Sequence, residues 1–145
     1  MITTTNANNI LKFFFGQQNS IVGTGKCYLG LSTTTPNADG TNFTEPSTST
    51  GYARVQVNIN EAQQYTNKMT EPTNGSIENN AEITFPEALE PNGYGTVTHF
   101  GIFDTQNGGT PLYVHALTSS VSVGAGEVLL FRQGALSLSF TADEE

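Results

Sequence analysis

The chain has 145 residues and a mass of 15.5 kDa, enough for one domain built on one core. Thirteen acidic side chains stand against five basic ones, a formal net charge of −8, which excludes a nucleic-acid binder that works through a basic footprint. No window approaches the roughly twenty apolar residues needed to span a bilayer, and residues 1–16 lack a basic n-region and a small-residue cleavage site, so a soluble protein with no membrane partner is expected.

Residues 3–17 carry the one strong helix signal. Thr and Asn side chains are available to cap it, Ala7, Ile10, Leu11, Phe14 and Phe15 recur at spacings of three and four, and Gly16 ends it. The run Phe13-Phe14-Phe15 spreads the apolar surface beyond a single stripe. This helix is therefore expected to lie over an open sheet end or to dock on another subunit.

Beyond the helix the period changes to two. Cys27, Leu29 and Leu31 alternate with Lys26, Tyr28 and Gly30; Ala53, Val55, Val57 and Ile59 with Arg54, Gln56 and Asn58; Leu136, Leu138 and Phe140 with Ala135, Ser137 and Ser139. Residues 81–85, 96–104, 112–118 and 127–132 read as further strands, separated by turn chemistry such as Asn74-Gly75, Pro91-Asn92-Gly93 and Asn107-Gly108-Gly109. The pattern predicts a mainly β fold, a single-domain antiparallel β-sandwich of jelly-roll-like type over residues 26–141, behind one short N-terminal helix. Cys27, the single cysteine, cannot form an intrachain disulfide and reads as a small buried hydrophobe rather than a nucleophile. Residues 32–51, rich in Thr, Ser and Pro, form a long connection of the kind that is functional or ordered by a partner.

The strands at 96–104 and 112–118 should pair as a hairpin around Asn107-Gly108-Gly109. Setting Phe100 opposite Val114 and Ile102 opposite Leu112, with Ala116 beyond, gives one consistently apolar face. The other face then carries His99 opposite His115, together with Phe103, Tyr113 and Leu117. Two imidazoles at that spacing could begin a metal site, yet no third or fourth ligand is evident, so neither a metal nor another cofactor is expected. The face is too apolar for water, and a second layer or a neighbouring subunit should cover it.

Catalytic signatures are missing: no phosphate-binding loop, no dinucleotide fingerprint, no nucleophile elbow, no zinc-protease helix and no paired carboxylates. Residues 37–42 faintly resemble a calcium loop but lack its acidic series and read as a turn. Arg54 and Arg132 lie on predicted strands. For Arg54 a buried ion pair at a subunit boundary and an exposed solubilising role are both compatible with the sequence.

Several segments taken together resemble a widespread family. They are Tyr28-Leu29-Gly30-Leu31-Ser32 followed by Pro36, Glu45-Pro46, Gly51-Tyr52-Ala53-Arg54, residues 95–104, Ala116-Leu117-Thr118, and Gly126 through Phe131 to Gly134-Ala135-Leu136. The set is similar to that of small tailed-bacteriophage virion proteins of tail-fibre or capsid-decoration type, and spans nearly the whole chain after the helix. The resemblance implies a non-enzymatic β-domain on the exterior of the particle, with major capsid or tail proteins as partners. A homo-oligomer, preferably a trimer, would bury the apolar surfaces left over. The candidate interface residues are Ile10, Leu11, Phe13, Phe14, Phe15, Arg54, His99, Phe103, Tyr113, His115 and Leu117. The alternative is a module for host-surface glycan, with Tyr52 or Tyr94 as stacking platforms beside residues 32–51 and 90–95.

Overall fold

The computed structural model describes residues 1–18, 26–61 and 64–140. The chain runs through a helix α1 (Thr4–Phe14), then β1 (Tyr28–Ser32), a single 3-10 turn (Thr48–Thr50), β2 (Val55–Gln56), β3 (Asn58–Glu61) and β4 (Gln64–Asn67). It continues through β5 (Ser76–Glu78), β6 (Ile83–Thr84), β7 (Gly95–Phe103), β8 (Tyr113–Val123), β9 (Leu130–Phe131) and β10 (Ser137–Ser139). The fold is mainly β, antiparallel throughout, with one short N-terminal helix, as the sequence predicts. One layer is a four-stranded sheet in the order β2-β1-β7-β8, and the short ribbons β5–β10 and β6–β9 pack against it, with β3–β4 as a third ribbon.

Helix α1 begins where the capping argument puts it. The Thr3 hydroxyl accepts from the Asn6 amide, and Gly16, with φ of +69°, closes the C-terminus while the amides of Phe15 and Gln17 turn back to Leu11 and Lys12. Its root is tied to the sheet. The carbonyl of Leu112 accepts from the Thr3 amide at 3.0 Å, the Thr3 hydroxyl at 3.2 Å and Asn6 Nδ2 at 3.2 Å.

Leu29 and Leu31 of β1 and Phe100 and Ile102 of β7 point into the core with Tyr113 of β8. They meet Ile83, Phe85, Leu129, Phe131 and Leu136 of the ribbon layer. Asn79, fully buried, holds that layer together: its Nδ2 donates to the carbonyls of Ala81 and Arg132, and its Oδ1 accepts from the Leu136 amide. A buried amide with each hydrogen-bonding group satisfied replaces the continuous ladder that three short ribbons lack.

The predicted hairpin forms, but in a register one residue away from the expected one. Phe100 lies opposite His115 and Ile102 opposite Tyr113, so Tyr113 and His115 share the core side while Leu112, Val114 and Ala116 share the other. His99 faces Ala116, not His115. Farther from the turn the register changes again at an irregularity between Val97 and His99, where four residues of β8, Leu117–Ser120, lie opposite the single residue Thr98. Such an interruption moves Val97 and Phe100 onto the same face although their parities differ. The strands β4 and β5, which the alternation rule does not find, are short and polar: Gln-Tyr-Thr-Asn and Ser-Ile-Glu.

Candidate functional site

The side of the main sheet that faces away from the ribbons is covered by the chain itself. Gly30 and Gly101 lie opposite each other on β1 and β7, and their missing side chains leave a shallow floor. A Cβ on Gly101 would come within 2.7 Å of the Phe43 ring, and one on Gly30 within 2.9 Å of the Phe103 ring. Phe43 and Phe103 meet edge to face at 5.2 Å over that floor. The long connection over residues 32–51 is thus ordered from within. Thr33 donates to the Thr44 carbonyl, Thr34 Oγ1 to the Asn42 carbonyl and Asn42 Nδ2 to the Thr35 carbonyl. Its tip is the turn the sequence suggests, with Asp39 Oδ1 accepting from the amide and hydroxyl of Thr41, bonds that hold the Asp39 carboxyl below its ordinary pKa.

Arg54 locks this cover in place. Its guanidinium donates to both carboxylate oxygens of Glu45, Nε to Oε1 at 2.7 Å and Nη2 to Oε2 at 2.9 Å. Nη1 donates to the carbonyls of Thr105 and Gly108, and the guanidinium carbon stands 3.4 Å from the centre of the Phe103 ring. The Tyr52 hydroxyl donates to Glu45 Oε1 and accepts from the Leu31 amide; burial, then the Glu45 carboxylate, drive its pKa far upward. This network ties β1, the 32–51 connection and the β7–β8 turn together, with the donors and acceptors of Arg54 and Glu45 turned toward each other.

Two open apolar surfaces stand out among the described residues. Leu11, Phe13, Phe14 and Phe15 at the end of α1 are 54, 42, 72 and 76% exposed and form a ridge, while Ile10 is half-buried. The second is a groove of about 420 Å³ between β8 and the ribbon layer. Phe100, His115, Leu117, Val121, Leu130 and Phe131 line it, with Ala135 and Ser137 at its shoulder. Phe100, Tyr113 and His115 stack along one wall, and His115 Nδ1 bonds to the Ala116 carbonyl. His99 bonds through Nδ1 to Thr98 Oγ1; burial, and secondarily the His115 charge, lower its pKa. Among the described residues, no three of His, Cys, Asp and Glu converge in a way that could hold a metal ion.

A family model described as Podophage GP4 fiber I protein gp80 matches residues 1–139. The chain belongs to this family. No curated protein matches it. It is thereby a structural protein of a bacteriophage particle, of the fibre type, and the expected relationship to tailed-phage virion proteins holds. The family match also takes in α1, which the resembling segments did not include.

Within this fibre protein, most of the segments that carry the resemblance converge on one place: Gly30, Glu45, Tyr52, Arg54, Gly101 and Phe103 all belong to the Arg54 network. They describe the scaffold. Arg54 makes its ion pair inside one chain, with its side chain only 4% exposed, so neither a subunit boundary nor solvent exposure is needed to account for it. Phe103 lies beneath it and is buried, and Tyr113 belongs to the core. The five residues expected to share one outward face are therefore divided: His99 and Phe103 lie on one side of the sheet, Tyr113 and His115 on the other, and Leu117 in the irregular stretch. Tyr52 and Tyr94, 6 and 4% exposed, stack edge to face on each other, and the Tyr94 hydroxyl donates to the Pro86 carbonyl, so neither offers an open ring to a sugar. The groove was missed because its walls come from β8 in the shifted register; the unbroken apolar run Val128-Leu129-Leu130-Phe131, which cannot turn every side chain to one core, was the available signal.

Proposed function

We propose that this fibre-family protein is a non-enzymatic building element on the exterior of the phage particle, docking through α1 on other virion proteins, tail or major capsid, and associating with its own copies, preferably as a trimer. The observation that carries this reading is the ridge Leu11-Phe13-Phe14-Phe15. Three phenylalanines and a leucine left exposed at the free end of a helix whose other end is tied to the sheet are a surface made for burial against another protein. The polar network at Arg54, by contrast, presents no converging nucleophile, base and orienting group of the kind a reaction needs.

Particle assembly in the presence of tagged wild-type protein or the Phe14→Ser/Phe15→Ser variant tests the docking. The variant is expected to be incorporated at least tenfold less well while remaining folded. Equal incorporation of the two would refute docking through α1.

A further inference from the structure

We propose that the ridge at the end of α1 in one copy seats in the β8 groove of the next, so that copies join head to tail through one repeated contact that closes into a ring. This rests on the reading of the chain as an assembling fibre protein and names the partner of its exposed helix end. Both halves of the contact are present on one chain and neither satisfies the other. The helix root is fixed at Leu112 and, through the Thr4 amide, at the Ala38 carbonyl, and among the described residues nothing covers the ridge or fills the groove.

Charge selects the second copy as occupant. Copies carrying a net charge of −8 repel one another, so they approach most easily over surfaces poor in acids, or where a cation meets an acid. Residues 1–38 contain no acidic side chain, and residues 105–126, which include all of β8, contain no Asp, Glu, Lys or Arg. The ridge lies in the first stretch and the β8 wall of the groove in the second. The one charge within α1, Lys12, sits between Leu11 and Phe13, while the groove's shoulder is acidic on balance. Glu78 pairs across from Ser137, and Glu82 precedes β6, against the single cation Arg132.

Area selects a ring. With about 200 Å² for a whole aromatic ring, the ridge exposes on the order of 400 Å². A stable interface takes roughly 800 Å² from each partner. One contact falls short, whereas closing a ring adds a further contact without adding a copy and leaves no ridge or groove bare at an end. A heterologous contact of this kind has no two-fold axis and either closes into a ring or runs on as a filament. The groove is a poor small-molecule site: its few polar side chains, His115, Thr118, Ser119 and Ser137, are all exposed to water.

Sedimentation of the isolated full chain tests this with two variants, Phe14→Ser/Phe15→Ser in the ridge and Val121→Glu/Leu130→Glu in the groove. Wild type is expected as a small closed oligomer and each variant alone as a monomer. Because a single contact falls short of a stable interface, an equimolar mixture of the two variants, which can form one intact contact and no ring, should give at most weak dimers at high concentration and nothing larger. Near-UV circular dichroism checks folding, and Leu130→Ser replaces the groove variant if its signal is lost. A monomeric wild type, an oligomeric variant of either kind, or a mixture that rebuilds the wild-type oligomer overturns the proposal. A monomeric wild type that still enters particles through α1 would do so while leaving the fibre reading intact; failure of wild type to enter particles would instead sink that reading.

Discussion

The Arg54 network and the α1 ridge are inverted with respect to common expectation. The charged residue is inside and the greasy ones are outside. Arg54 is buried because five hydrogen-bonding contacts or faces receive it: two carboxylate oxygens, two carbonyls and an aromatic ring. The phenylalanines of the ridge are exposed because a helix capped by Thr3 and rooted at Leu112 carries its last turn clear of the other described residues. Whether a side chain is buried is thus decided by the partners the fold supplies, and residue type only sets the penalty for getting none.

Substitutions at the two places should therefore separate stability from assembly. The largest loss is expected for Arg54→Met, which strands Glu45 and two carbonyls. Breaking a buried pair from one side costs about 3–5 kcal/mol, and the lower end applies here because the Glu45 side chain keeps 26% of its surface. Thermal melting should show a drop of about 10 °C, given roughly 3–4 °C per kcal/mol for a chain of this size. A melting point within 2 °C of wild type, by about the same conversion, would show that the network is ornamental. Gly101→Ala comes next, at about 1–3 kcal/mol, because the new methyl meets Phe43 and pushes the cover off its floor. Urea titration should show a lower midpoint with an unchanged slope.

A smaller, pH-dependent effect is expected at His99. Its pKa is lowered in the folded chain, so the unfolded chain binds the proton first, and stability is present above the ordinary imidazole value of about 6.5 and declines as pH falls below it. Comparing melting at neutral and mildly acidic pH, His99→Gln should lose less than wild type on acidification; an equal loss assigns the effect to carboxylates instead. The smallest change in stability is expected at the ridge. Compared at a dilution at which wild type is also monomeric, Phe14→Ser/Phe15→Ser should leave the melting point where it was, within about 0.5 kcal/mol per site, while abolishing assembly at higher concentration. A large destabilisation there would mean that the ridge packs within its own chain.

The helix and the inward faces of β1 and β7 were legible because caps, a terminal glycine and strict alternation speak locally. The face of β8 was not. Tyr113 has an apolar body and a polar tip, so it suits either side of a sheet, and the extra residues at Leu117–Ser120 leave no trace in alternation. The 32–51 connection looked like a segment waiting for a partner because its Thr, Ser and Asn side chains are polar; those groups instead bond to backbone within the same loop. Tyr52 and Tyr94 looked available for the same reason and are buried because Glu45 and Pro86 accept their hydroxyls. The ridge itself was visible from Phe13-Phe14-Phe15, but which surface it matches depended on β8.

The triple acceptance at the Leu112 carbonyl has a mechanical consequence. A tug on the helix is delivered to the loop end of the β7–β8 hairpin, at the start of the longest strand, and travels along it. A pull on the helix is therefore shared with the longest strand of the main sheet, as a rope is made fast to a wall and not to a loose peg.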